Sequence, residues 1–336
     1  MRKLFFLICF FGLTISCPRP DVPDSGSDLS DLRFCLDPGH GNYPNDKPFE
    51  TRINLRVVNY LKQYLQGYGA WVITTRQDSA TNISLYDRDI IANNNNVDFF
   101  LSVHHNATGT GNTNVNTTLM LYEETPAGQV RWAGQSDVMC NYTADYLYRY
   151  LHTTSKSVRG DWSFYGSWTT PFNLGVLKYL SMPGVLSEAS FCDFPPEVHR
   201  LNSLGYLRLE AFALVYAFLD YFSTPKKTDA FIEGVVEDLN GNKLPGITVK
   251  LSNGLDEMIY VTDSQDIGIT NQDRAWGGFP QIYDVRNGMY FFEGFPLGQA
   301  KLIFESSGFA SNTVDIMVKA QTSNQISTVK MIKDGH

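Results

Sequence analysis

The sequence predicts an α/β domain, a six-stranded mixed sheet flanked by helices, followed by a small C-terminal all-β sandwich domain. Three observations predict it. From Leu32 to Phe222 short apolar runs alternate with helical patterns. Ser223-Thr-Pro-Lys-Lys-Thr-Asp229 then reads as a polar linker. Beyond it, short alternating strands separated by Asn-Gly and Pro-Gly turns run from Phe231 to Lys333. The expected boundaries are 32–222 for the first domain, 223–229 for the linker and 230–336 for the second domain.

In order along the chain, Arg33–Asp37 is the first expected strand, ending in the turn-forming Pro38-Gly39-His40-Gly41. Glu50 opens a helix with Leu55, Val58, Leu61 and Leu65 on one stripe, stopped by Gly67 and Gly69. Trp71–Thr75 is the second strand. Ser84, with Asp87 three residues on, resembles a capping box and starts a helix running to the Asn run at 93–96. Phe99–His104 and Thr117–Tyr122 are the third and fourth strands. A long helix is expected over Val130–Leu151, a fifth strand at Leu174–Leu177, a sixth at Gly184–Glu188, and a closing helix over Leu201–Phe222. In the C-terminal part, strands are expected at Ile232–Glu237, Thr248–Leu251, Tyr290–Phe292 and Lys301–Phe304.

The N-terminus sets an address. Arg2 and Lys3 precede an apolar run from Leu4 to Ile15, which is too short for a membrane span and reads as an export signal over residues 1–17. Leu13-Thr14-Ile15-Ser16-Cys17 resembles a bacterial lipobox, with Thr14 in place of the usual Leu. It implies an exported, cell-envelope or periplasmic protein, lipid-anchored at Cys17 and touching the membrane only through that lipid. The plainer alternative is secretion with cleavage nearby. Residues 18–31, rich in Pro, Asp, Ser and Gly, read as a flexible tether. Cys35, Cys140 and Cys192 are too few and too unevenly spaced for a disulfide framework. A net charge of -8 argues against a nucleic-acid partner.

The chemistry gathers at element ends. His40 follows the first strand, His104 closes the third, Glu188 closes the late strand and Glu50 begins the first helix. Ligand sites in open α/β sheets form at the carboxyl ends of the strands. Two neutral imidazoles and one carboxylate suit Zn²⁺ and leave a fourth position for water. A further carboxylate then serves as base, so Glu50 and Glu188 should divide these roles.

Leu36-Asp-Pro-Gly-His-Gly41, Glu50 with Asn54-Leu55, Thr75-Arg76 with Asp78, Leu85 and Arg88, Ser102-Val-His-His-Asn-Ala107, and Met182-Pro-Gly-Val-Leu-Ser-Glu188 stand in the order and spacing of a known family. The chain resembles zinc-dependent N-acetylmuramoyl-L-alanine amidases of the amidase-3 type over residues 32–222. The resemblance implies that His40, Glu50 and His104 are ligands of Zn²⁺, that Glu188 is the catalytic general base, and that peptidoglycan is the substrate. After Glu188 the family continues with a Gly, a Phe and a Ser-Asn pair; here Ala189-Ser-Phe191 is followed by Cys192-Asp-Phe194. That departure bears on the local loop and on substrate preference.

Arg76 and Arg88 read as braces of the domain, His105 as a packed residue and Cys192 as a buried thiol. The aromatic stretch Asp161–Pro171, with Trp162, Phe164, Tyr165 and Trp168, suits either stacking on sugar or packing over the core. The C-terminal pattern, Gly234-Val-Val, Asn240-Gly241, Leu244-Pro-Gly246, Asn287-Gly-Met-Tyr-Phe-Phe292 and Ser307-Gly-Phe309, resembles carboxypeptidase-regulatory-like β-sandwiches, which leaves three roles open: glycan contact, contact with a protein activator, or spacing. The competing functions are another envelope zinc peptidase and an inactive glycan-binding protein. Zinc carboxypeptidases of that type place His and Glu three residues apart, whereas His40 and Glu50 lie ten apart.

Overall fold

The computed structural model describes residues 28–42, 47–167, 169–226, 230–320 and 323–335. The export signal, Cys17, most of the N-terminal tether, Trp168 and part of the 223–229 linker lie outside the described residues.

The first part runs β1 (Arg33–Pro38), α1 (Pro48–Gly67), β2 (Trp71–Thr74), α2 (Leu85–Asn94), β3 (Phe99–Asn106), β4 (Thr118–Tyr122), α3 (Ser136–Leu151), β5 (Lys156–Gly160), α4 (Asp161–Gly166), β6 (Gly184–Phe191), α5 (Pro195–Leu201) and α6 (Leu204–Tyr221). Its six-stranded sheet has the order β2-β1-β3-β6-β4-β5. Neighbours are parallel except β4 against β6, which makes the sheet mixed.

Local chemistry accounts for the element ends. Pro48 opens α1, where its missing N–H costs nothing, and Ile53, Val57, Val58, Leu61 and Leu65 form its buried stripe. Leu55, expected on that stripe, is only half-buried. The Ser84 hydroxyl accepts the Asp87 N–H at 3.1 Å and caps α2.

Three expectations need correction. Leu174–Leu177 is a turn, not a strand. Leu177 and Lys178 donate back to the Leu174 carbonyl, and the Leu174 N–H is taken by the Asp161 carboxylate at 2.8 Å. Val176 and Leu177 still bury, beneath β4 and β6. The fifth strand in the chain is instead β5, an edge strand with mostly exposed polar residues and no apolar alternation to announce it. The third helix begins at Ser136, because residues 131–135 form turns.

The C-terminal part runs β7 (Phe231–Asp238), β8 (Thr248–Ser252), β9 (Glu257–Val261), α7 (Asn271–Ala275), β10 (Met289–Glu293), β11 (Gly298–Ser306), β12 (Phe309–Val318), β13 (Ser323–Gln325) and β14 (Val329–Met331). One sheet carries β10, β13 and β14 on β7; the other has the order β12-β11-β8-β9. Their inner faces meet where Tyr290 packs edge-on against Phe304, with ring centroids 5.5 Å apart.

α6 is largely apolar around its circumference, its charges confined to Arg208, Glu210 and Asp220, as suits a helix buried on nearly all sides. One side meets the first sheet, Phe218 lying 5.1 Å from Phe34 and 5.7 Å from Phe99. The other meets the C-terminal part: Phe212 lies 5.6 Å from Phe231, and Gly205 leaves room for the Phe291 ring. The apolar core therefore runs without a break from the first sheet through α6 into the β region.

The segment between β9 and β10 returns to the first part. Asp273 of α7 accepts both terminal nitrogens of Arg52, Phe49 packs on Phe279 at 5.5 Å, and Asn202 accepts the Gly268 N–H at 2.9 Å. This segment lies along the N-terminal turns of α1, beside the end of the sheet that carries the histidines.

Candidate metal centre

Three strand or helix ends deliver the site. The turn after β1 presents His40, the first turn of α1 presents Glu50, and the end of β3 presents His104. His40 Nε2 lies 3.0 Å from Glu50 Oε1, and His104 Nδ1 lies 3.2 Å from the same oxygen. One ligand-capable atom from each of the three lies within 4.8 Å of the others, a geometry suited to one metal ion. Glu188 stands beside them, since it is the register partner of His104 across the parallel β3–β6 pair. All four expected site residues thus meet at one end of the sheet.

The turn holding His40 is over-determined. His40 has a φ of +63°, a left-handed backbone that a non-glycine residue adopts only under constraint. Arg88 donates to the His40 carbonyl at 2.6 Å, to the Pro38 carbonyl at 3.1 Å and to the Asp37 carboxylate at 2.6 Å. Arg76 donates to the carbonyls of Pro38, Gly39 and Thr51 at 2.7 to 2.9 Å. Both arginines brace backbone and face away from solvent. Gly39 is required by proximity, since a Cβ there would sit 2.2 Å from the His104 ring.

Asp37 is buried at the base of the turn. Burial opposes its charge, but Arg88, Ser102 and Thr75 together hold its carboxyl below the usual range. Burial likewise opposes charge on Glu50, and His40, Lys47 and His104 overcome it, holding this carboxyl well below its ordinary value. Burial lowers the His104 imidazole and favours the neutral, ligating form. Glu188 goes the other way: burial, then the nearby Glu50 charge, push its carboxyl up to about 7. Its Oε2 is buried without a hydrogen-bond partner among the described residues.

The surroundings contain a group the sequence did not single out, Lys47, beside His105 and Cys192. Lys47, three residues before Glu50, places Nζ 2.9 Å from Glu50 Oε2. His105 is fully buried, with Nδ1 2.8 Å from Asn54 Oδ1 and Nε2 2.9 Å from Glu210 Oε2. Its backbone N–H donates to Glu50 Oε1 at 3.1 Å, so this packed histidine helps to orient the carboxylate. The Cys192 thiol, pushed up by burial, sits 3.9 Å from Glu50 Oε2.

Of the aromatic stretch, Phe164 and Tyr165 pack against the smaller core cluster beside β4 and β6. Tyr165 stacks on Phe172 at 4.2 Å and feels the Glu188 charge, so this loop flanks the site as well as covering core.

A Clostridium difficile N-acetylmuramoyl-L-alanine amidase is similar at 23% identity and a TM-score of 0.48, over 60% of this chain and all of that one. Among curated proteins, a Bacillus phage SPP1 endolysin is 27% identical over 69% of this chain and 76% of its own length. The germination-specific N-acetylmuramoyl-L-alanine amidase of Bacillus subtilis is 24% identical over 58% of this chain and 81% of its own length. The Amidase_3 family model, described as N-acetylmuramoyl-L-alanine amidase, matches residues 34–215, more than half of the chain and every residue of the site. The protein therefore belongs to the Amidase_3 family and is an N-acetylmuramoyl-L-alanine amidase acting on peptidoglycan.

Proposed function

We propose that the amide hydrolysis depends on Zn²⁺ held by His40, Glu50 and His104, with Glu188 as the general base. The observation that carries this reading is the convergence of two imidazoles and one carboxylate within 4.8 Å, beside a second carboxylate whose Oε2 has no hydrogen-bond partner among the described residues. The donor set fits zinc, which takes nitrogen and carboxylate oxygen in three-residue catalytic sites. When bound, Zn²⁺ supplies a Lewis acid that polarises the scissile carbonyl and acidifies the attacking water.

The remaining work falls to the chain. Glu50 is already ionised and enclosed by positive and imidazole neighbours, which suits a ligand and makes it a poor proton carrier. Glu188, with a carboxyl near 7, accepts the proton from the attacking water and returns it to the departing amine of L-alanine. Asp37, Arg76 and Arg88 fix the His40 turn, and Asn54, His105 and Glu210 fix α1 and α6 against β3.

Digestion of purified sacculi tests the reaction, with mass spectrometry of the soluble products. Release of intact stem peptides beginning with L-alanine is expected. Products cut only between stem-peptide residues would point to a peptidase and sink the amidase reading.

The export signal and the lipobox-like sequence at Cys17 support placement in the cell envelope with a lipid anchor. Among the described residues no helix is long and apolar enough to cross a membrane. Membrane fractionation of a Cys17→Ser variant tests the anchor: the variant should move to the soluble fraction. The carboxypeptidase-regulatory-like pattern and the paired β sheets support reading the C-terminal part as a β-sandwich that assists binding.

A further inference from the structure

The segment between β9 and β10 meets the amidase part a second time, at the loop that follows β3. Gly111, with a φ of +67°, approaches it so closely that a Cβ would lie 2.9 Å from the Phe279 carbonyl oxygen. Phe279 is buried against Phe49 and fixes the segment from below. Asp193 fixes the loop from the other side, accepting the Thr108 hydroxyl at 2.8 Å and the Gly109 N–H at 2.9 Å. Asp193 belongs to the stretch after Glu188 in which the chain departs from the family pattern, so the departure has a structural partner in this loop.

Between loop and segment lies an open trough of roughly 470 Å³. Thr110, Asn112, Gln281 and Gly277 line it as exposed residues, the first three with hydroxyl and amide groups, and Pro280 and Ile282 add apolar surface. No charged side chain lines it among the described residues. Trp276, half-buried and next in the chain to Gly277 of the trough, has its ring centroid 5.7 Å from Lys47 Nζ, which in turn lies 2.9 Å from Glu50 Oε2.

We propose that Trp276 and this trough form a glycan subsite, built jointly by the amidase loop and the C-terminal part. Uncharged hydroxyl and amide groups beside an aromatic face suit neutral pyranose rings, which offer C–H faces for stacking and hydroxyl and acetamido groups for hydrogen bonds. A stem peptide carries ionised groups, for which the trough lining holds no partner, and Lys47 beside Trp276 is already paired with Glu50. The subsite rests on the amidase reading: it seats the glycan strand while the lactyl amide lies over Glu188 and the metal centre. The C-terminal part is then a specificity element of the cleft.

Tetra-N-acetylchitotetraose is the probe, because it is a neutral glycan without the amide the enzyme cuts. Calorimetric titration into the full-length protein should give saturable binding, weakened at least 10-fold by Trp276→Ala and by Gln281→Ala. With muramoyl-peptide fragments, Trp276→Ala should raise KM about 10-fold and leave kcat within about two-fold, and Trp276→Phe should recover part of the loss. Gln281 is exposed, so its variant keeps the test open should Trp276→Ala unfold. Oligosaccharide binding unchanged in both variants would overturn the proposal. So would absence of oligosaccharide binding to the parent protein, whether or not a free stem peptide binds in its place. Failure of the amidase reading is separately visible, as sacculi that yield no free stem peptide.

Discussion

Arg88 Nη2 donates to the carbonyl oxygen of His40 at 2.6 Å, tying the first turn of α2 to the left-handed residue that presents an imidazole to the candidate metal centre. The same guanidinium pairs with Asp37 at 2.6 Å, and both side chains are buried. Lysine keeps the charge but has no planar fork to serve a carboxylate and two carbonyls together. Arg88→Lys should therefore weaken zinc binding about 10-fold. Arg88→Met, which leaves Asp37 buried and unpaired, should destabilise the fold by about 3–5 kcal/mol. Zinc titration and thermal melting read the two effects. A lysine variant that titrates like the parent would show that the turn holds itself.

The proposed division of labour between the two glutamates predicts opposite phenotypes. His40→Ala and Glu50→Ala should each abolish stoichiometric metal, measured by elemental analysis after gel filtration. Glu188→Ala should keep about one zinc per chain and lose about 10²–10⁴-fold in kcat, the usual range for removing a general base. Loss of metal in Glu188→Ala with retention in Glu50→Ala would reverse the roles.

How much of this was legible in the sequence depends on the range of the signal. His40, Glu50, His104 and Glu188 announced themselves through short motifs at element ends, and the fold brings all four together. Arg76, Arg88 and His105 were correctly read as internal, since strand alternation and motif position suffice for that. β5 was missed because an exposed edge strand has no need of apolar alternation, and Leu174–Leu177 was misread because a buried turn is as apolar as a buried strand. Asp161, whose carboxylate takes the Leu174 N–H, decides that case by a contact invisible in a local window. Trp276 carried no signal at all, and Asp273 only that of a capping box with Thr270: their meaning lies in packing against α1, far away in sequence.

Arg52 and Asp273 join the two parts with a bidentate ion pair at 2.9 and 2.8 Å, next to the packed Phe49 and Phe279 rings. With α6 buried between the first sheet and β7, neither part has a complete core of its own. Differential scanning calorimetry should accordingly show one cooperative transition for the full chain. Phe279→Ala should lower it by about 3–5 kcal/mol of stability, the cost of emptying a buried aromatic site. Two resolved transitions, with only one of them sensitive to Phe279→Ala, would mean that the parts fold independently.

Glu233 of β7 yields a pH dependence whose sign can be worked out. The residue is 4% exposed, and burial pushes its carboxyl from 4.5 up to about 7, against the pull of the Ser323 hydroxyl 2.9 Å away and of Arg200. A raised carboxyl keeps its proton in the folded chain after the unfolded chain has lost it. Between about pH 4.5 and 7 the folded state thus binds more protons, and stability falls as pH rises through that window before levelling off above it. Glu233→Gln, an uncharged near-isostere, removes this dependence. The variant should match the parent at pH 5 and exceed it at pH 8 by on the order of 2–3 kcal/mol, read from urea midpoints. Because burial is the dominant cause, the difference should persist at high salt, where a surface charge effect would be screened. A parent-to-variant difference that stays constant from pH 5 to pH 8 would mean that Glu233 titrates like an exposed carboxylate, and that the junction between α5, β7 and β13 admits water freely.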